Sequence, residues 1–119
     1  MKRSLTKKER LARPKDIQRL FLEGRKVRVK GAGLTFIENG RDYSRILFVV
    51  PRSIKSKVER NRLKRVAREC VRLQKDLLPP GYDLALILFP GDYSYEARME
   101  QFRSLLKAAE LVGEMDRIS

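Results

Sequence analysis

The residues best able to do chemistry form one run: Arg60-Asn61-Arg62-Leu63-Lys64-Arg65, followed by Arg68-Glu69 and Arg72. Guanidinium groups grip phosphate in bidentate forks, and an ammonium supplies a point charge beside them. On a helical wheel, Leu63, Val66, Ala67, Cys70, Leu73 and Leu77 fall within an arc of about 120°. Arg60, Lys64, Lys75, Arg68, Asn61, Arg72 and Arg65 occupy the opposing side, within about 140°. A solvated charged face would carry acids to match its cations. Here Glu59 and Glu69 are the only carboxylates between 51 and 75, so pairing along the helix leaves most of the stripe uncompensated. The chemistry expected is contact with a nucleic-acid backbone. Asn61 could add a bond to a base edge or a ribose hydroxyl, or could instead serve at the helix start.

Other chemistries lack their residues. The chain has no histidine, the commonest general base and zinc ligand, and one cysteine, Cys70, expected in the core. Zinc fingers and Cys–His nucleophiles are thereby excluded. A metal-dependent nuclease would need clustered carboxylates. The acids sit mostly in the C-terminal third, with Glu96, Glu100 and Glu110 at solvated helix positions and Asp83 and Asp92 flanking a strand without a visible partner.

Net charge over the 119 residues is +13, a single-sign field suited to polyanions. It is unevenly placed. Segments 1–30 and 51–75 carry +9 and +8, segment 31–50 is neutral, and 76–119 carries −4. No segment joins this charge to a broad apolar face, so nucleic acid is expected rather than a membrane. No apolar run approaches a membrane span or a secretion signal, and the lone thiol fits a reducing cytoplasm.

These side chains need a scaffold, and the length suits one domain over 1–119, with residues 1–12 a flexible basic N-terminus. Pro14 suits a first helical position, with Ile17, Leu20 and Phe21 at helical spacing and Gly24 as the stop. Val27–Val29, Leu34–Ile37 and Arg45–Val50 read as strands, with a turn at Asn39-Gly40. The basic helix spans 57–78 and is stopped by Pro79-Pro80-Gly81. Residues 83–89 read as a strand buried on both faces. Met99, Phe102, Leu105, Leu106, Ala109 and Val112 mark a C-terminal helix. The order α-β-β-β-α-β-α predicts an α+β sandwich of three helices on one sheet.

The run Arg60 to Glu69 resembles the signature helix of the bacterial ribonuclease P protein family. Three further stretches carry the resemblance across roughly residues 10–112. Lys15-Asp16-Ile17-Gln18-Arg19-Leu20-Phe21 with Gly24 resembles the family's first helix. Asp42-Tyr43-Ser44-Arg45 and Pro80-Gly81-Tyr82-Asp83 resemble the stretches before and after its basic helix.

The resemblance implies a four-stranded sheet with a left-handed β-α-β crossover, against the general preference. It also implies an RNA-binding subunit that assists a catalytic RNA in removing the 5′ leader of precursor tRNA. The protein then holds no catalytic residue, metal or cofactor. Magnesium belongs to the catalytic RNA and substrate, and the protein is a monomer without RNA. Ribozyme docking falls on Arg60, Asn61, Arg62, Lys64, Arg65, Arg68 and Arg72. The leader cleft takes Phe21 and Arg52, a pairing that suits sequence-tolerant single-strand binding; core packing stays open for Phe21.

Ile17 stands where the family often has an aromatic, Gly33 and Thr35 are small for a cleft wall, and Pro51, Lys55 and Lys57 also depart from its pattern. These departures shift the expected weight from stacking toward electrostatics. A structural RNA-binding protein of the ribosomal type fits composition and charge equally well.

Overall fold

The computed structural model describes residues 5–111. Its elements follow the expected order: α1 (Pro14–Glu23), β1 (Arg25–Val29), β2 (Ala32–Glu38), β3 (Arg45–Val49), α2 (Lys57–Leu73), β4 (Tyr82–Leu88) and α3 (Tyr95–Ala108). The four strands form one mixed sheet in the order β1-β2-β4-β3. β4 runs antiparallel to β2 and parallel to β3, so α2 is the crossover between β3 and its neighbour.

Strand alternation divides the apolar residues between two faces. Leu34, Phe36, Ile46, Leu84, Leu86 and Leu88 join Ala67, Cys70 and Val71 of α2 and Phe102, Leu105 and Leu106 of α3 in the main core. The other face carries a smaller cluster, Leu11, Leu20 and Ala85, against which Ile17, Ile37, Leu47 and Val49 pack. α1 reaches the sheet through this cluster. At its end Gly24 allows the approach: a Cβ there would collide with the Leu20 carbonyl oxygen and stand 3.0 Å from that of Phe36.

Several boundaries depart from expectation. Residues 1–4 and 112–119, including Val112 of the expected last helix, lie outside the described residues. The N-terminus, expected to be flexible to residue 12, is docked from Leu5 onward. Lys7–Glu9 form a 3-10 turn, Leu11 is buried, and its N–H donates to the Ile46 carbonyl at 2.9 Å. One buried leucine among many cations gives this segment an anchor that its charge conceals.

The basic helix stops at Leu73 instead of 78. Gln74 leaves helical geometry at φ −118°, and its buried amide donates to the Cys70 and Met99 carbonyls; Lys75–Leu77 continue as a 3-10 turn. α3 begins four residues before Met99 because the Ser94 hydroxyl accepts from the Ala97 N–H and caps it.

Candidate nucleic-acid interface

α2 starts where Ser56 accepts a hydrogen bond from the Glu59 N–H at 3.3 Å. Ser56, not Asn61, therefore serves the helix start, and Asn61 stands exposed in the second turn. The buried residues of α2 are Ala67, Cys70 and Val71, while Leu63 and Val66 are only half-buried. The helix is thus rolled toward Val71, and it packs against α3 and against the sheet at β3 and β4. Arg60, Asn61, Arg62, Arg65 and Arg68 are exposed; Lys64 and Arg72 are half-buried. Arg62, outside the polar arc of the ideal wheel, has a side chain 70% exposed.

The two carboxylates each take one cation. Arg62 lies 3.5 Å from Glu59. Arg72 donates to both oxygens of Glu69 at 2.7 and 2.8 Å, which holds the Glu69 carboxyl below its ordinary range and the Arg72 guanidinium above its own. Arg60, Lys64, Arg65 and Arg68 are in no ion pair among the described residues. The structure brings all seven predicted side chains onto one helix, with four cations uncompensated and Arg72 committed to Glu69.

Phe21 and Arg52 stand on different elements, Phe21 in the last turn of α1 and Arg52 after β3. Phe21 is 39% exposed and belongs to neither core cluster, so its ring does not fill the core. It stands beside Leu20, the buried anchor of α1. Arg52 is exposed in the turn after β3, beyond Val49, whose register partner is Ile87.

Between β1 and β4, on the face that α1 shares, lies an open cleft lined by Lys26, Arg28, Gly33, Thr35, Ile87 and Phe89. The Arg28 guanidinium lies 4.5 Å from the Phe89 ring centroid. Gly33 and Thr35, small where bulk was expected, are walls of this cleft. Lys26, Arg28 and Phe89 were missed in the sequence; the polar alternation of residues 26, 28 and 30, and an aromatic closing the apolar run 83–89, were the available signals. Cations and an aromatic face around open strand surface suit an unpaired nucleic-acid strand.

Asp83 has the partner that the sequence did not reveal. It is 1% exposed and accepts two hydrogen bonds from Arg45, at 2.8 and 2.7 Å, and one from Asn39. Arg45 also pairs with Asp16 of α1 at 3.2 Å. The Asp83 bond raises the Arg45 pKa against the opposing effect of burial. This network ties α1 to the sheet. The Cys70 thiol is fully buried, and burial pushes it up to about 11, which suits a core residue and not a nucleophile. No described helix is long and apolar enough to cross a membrane.

Comparison with known proteins agrees with this geometry. The family model for ribonuclease P matches residues 5–110. The ribonuclease P protein component of Thermotoga maritima is 38% identical over 87 residues, covering 73% of this chain and 74% of the relative. That of Pelotomaculum thermopropionicum is 34% identical over 103 residues, covering 85% and 92%. Among solved structures, the Thermotoga maritima protein superposes with a TM-score of 0.74 at 32% identity, over 83% of this chain and 96% of that one. The Staphylococcus aureus protein shares the fold, with a TM-score of 0.76 at 22% identity, over 88% and 98%. With its sheet order, its cationic α2 and a match across nearly all described residues, the chain belongs to the ribonuclease P protein component family.

Proposed function

We propose that this protein serves as the RNA-binding subunit of a ribonuclease P holoenzyme in the cytoplasm, joining it as a monomer. In this reading the exposed face of α2 docks on the catalytic RNA. The α1 side of the sheet, with Phe21, Arg52 and the Lys26–Arg28–Phe89 cleft, receives the single-stranded 5′ leader of precursor tRNA. The RNA performs the hydrolysis with magnesium held by itself and the substrate. The protein's cations reduce repulsion between two polyanions, a task otherwise left to magnesium. The observation that carries the proposal is the set of four uncompensated cations, Arg60, Lys64, Arg65 and Arg68, within the run that marks the family. Membership of that family displaces the ribosomal-type reading.

Reconstitution with a bacterial ribonuclease P RNA tests it. Adding the protein should restore precursor cleavage at magnesium concentrations where the RNA alone is slow, while the protein without RNA leaves the precursor intact. Specific 5′ processing by the RNA-free protein, or an unchanged magnesium requirement, would overturn it.

A further inference from the structure

The docked N-terminal segment brings a third cation to a place where α2 already presents two. Arg10, Lys64 and Arg68 line one cleft, floored by Leu11, Ile46 and Phe48. No carboxylate lines it, and among the described residues none of the three cations is in an ion pair. The other flank of α2 is built differently, since there Glu59 faces Arg62 and Glu69 holds Arg72.

The position of Arg10 is set from both sides. Its neighbour Leu11 is buried and bonded to β3, and its neighbour Glu9 meets the Lys75 ammonium at 2.7 Å. Burial alone would raise the Glu9 carboxyl, but Lys75 and the Thr6 donors outweigh it and hold the group below its ordinary value, as an ionised anchor. On the opposite wall, the Arg68 guanidinium lies 5.6 Å from the Phe48 ring centroid. Two arginines and a lysine, from two elements, are thus fixed around one concavity with nothing negative in it. Like charges held together repel, and a phosphate oxygen placed among them would turn that repulsion into charge-assisted hydrogen bonds.

We infer that this cleft is a backbone-phosphate site for the partner RNA, with Arg10 gripping the phosphate jointly with Lys64 and Arg68. The inference rests on the docking of α2 to RNA proposed above and extends that surface across the N-terminal segment. It also gives the 3-10 turn and its Glu9–Lys75 pair a task, which is to position Arg10.

Binding of the full chain to a bacterial ribonuclease P RNA, measured across a salt series, separates the two ideas. Arg10→Gln should weaken binding several-fold and reduce the salt slope by roughly 0.7–0.9, with an unchanged thermal melt, whereas Arg10→Lys should keep the slope. Arg65→Gln, outside the cleft, gauges α2 docking itself. If Arg65→Gln weakens binding and Arg10→Gln does not, the phosphate site is wrong and the docking face stands. If neither changes affinity or slope, the docking face falls and the site falls with it. Lys64→Gln, on the other element, guards against a folding effect at residue 10. A phosphate shared by both side chains predicts that the double variant Arg10→Gln/Lys64→Gln loses less than the two single losses combined. Strict additivity would overturn the shared site.

Discussion

Along α2, Arg60, Lys64, Arg65 and Arg68 stand on a regular helix with no aromatic residue in its 17 positions. On the α1 side of the sheet, Lys26 and Arg28 instead share their cleft with Gly33, Thr35, Ile87 and Phe89. Both regions are cationic, but they ask different things of a ligand. A row of cations at helical spacing, with Asn61 among them, suits the phosphate backbone of a folded RNA. An open strand surface with an aromatic ring and fewer charges accepts bases without reading them.

Their supports differ as well. α2 buries Ala67, Cys70 and Val71 in the main core. α1 buries only Leu20 and depends on the Asp16–Arg45–Asp83 network. One domain thus carries a cationic helix seated in the main core beside a helix held by a small apolar cluster and a polar network.

The largest break in that comparison should come from Asp83→Ala. Removing one partner of a buried ion pair typically costs about 3–5 kcal/mol, which denaturant unfolding would measure. Under conditions where the variant stays folded, holoenzyme affinity for leader-bearing precursor should fall more than protein affinity for the ribozyme. Equal losses would mean that the network supports the whole fold and not α1.

Arg60→Ala with Arg65→Ala addresses the other region. Both side chains are exposed, so the melt should hardly move, while ribozyme binding weakens and the salt slope drops by roughly 0.7–0.9 for each lost phosphate contact. An unchanged slope would reduce the stripe to solvated surface.

The smallest effect belongs to Phe21→Ala. Losing a base–aromatic stack costs about 1–3 kcal/mol, and the lower end is expected because the Phe21 ring is 39% exposed. The loss should appear for precursor tRNA and not for mature tRNA. A drop shared by both substrates would reject a leader contact.

The order of elements and the cationic face of α2 were legible because each rests on local periodicity. Pro14 at the start of α1 follows from a rule that acts over three or four residues, whereas the caps Ser56 and Ser94 went unread, although the same local rules apply to them. What else escaped reading depends on which strands become neighbours. Asp83 looked partnerless because Arg45 is 38 residues away, and the two meet only when β4 enters the sheet between β2 and β3. The cleft at Lys26, Arg28 and Phe89 depends on the same insertion. Val71 was hidden differently. An ideal wheel assumes one covered side, whereas α2 packs against both α3 and the sheet, and its buried face turns from Leu63 and Val66 toward Val71.

The insertion of β4 also sets a timetable. During synthesis β1 and β2 can pair as soon as they emerge, because they are adjacent in the chain. β3 has no strand to pair with until residues 82–88 follow, after all of α2 has been made. Until then the cationic helix lacks the strand that completes its platform. The nascent chain therefore exposes an arginine-rich segment before it has a surface of defined shape, and selective recognition has to wait for the second half of the molecule.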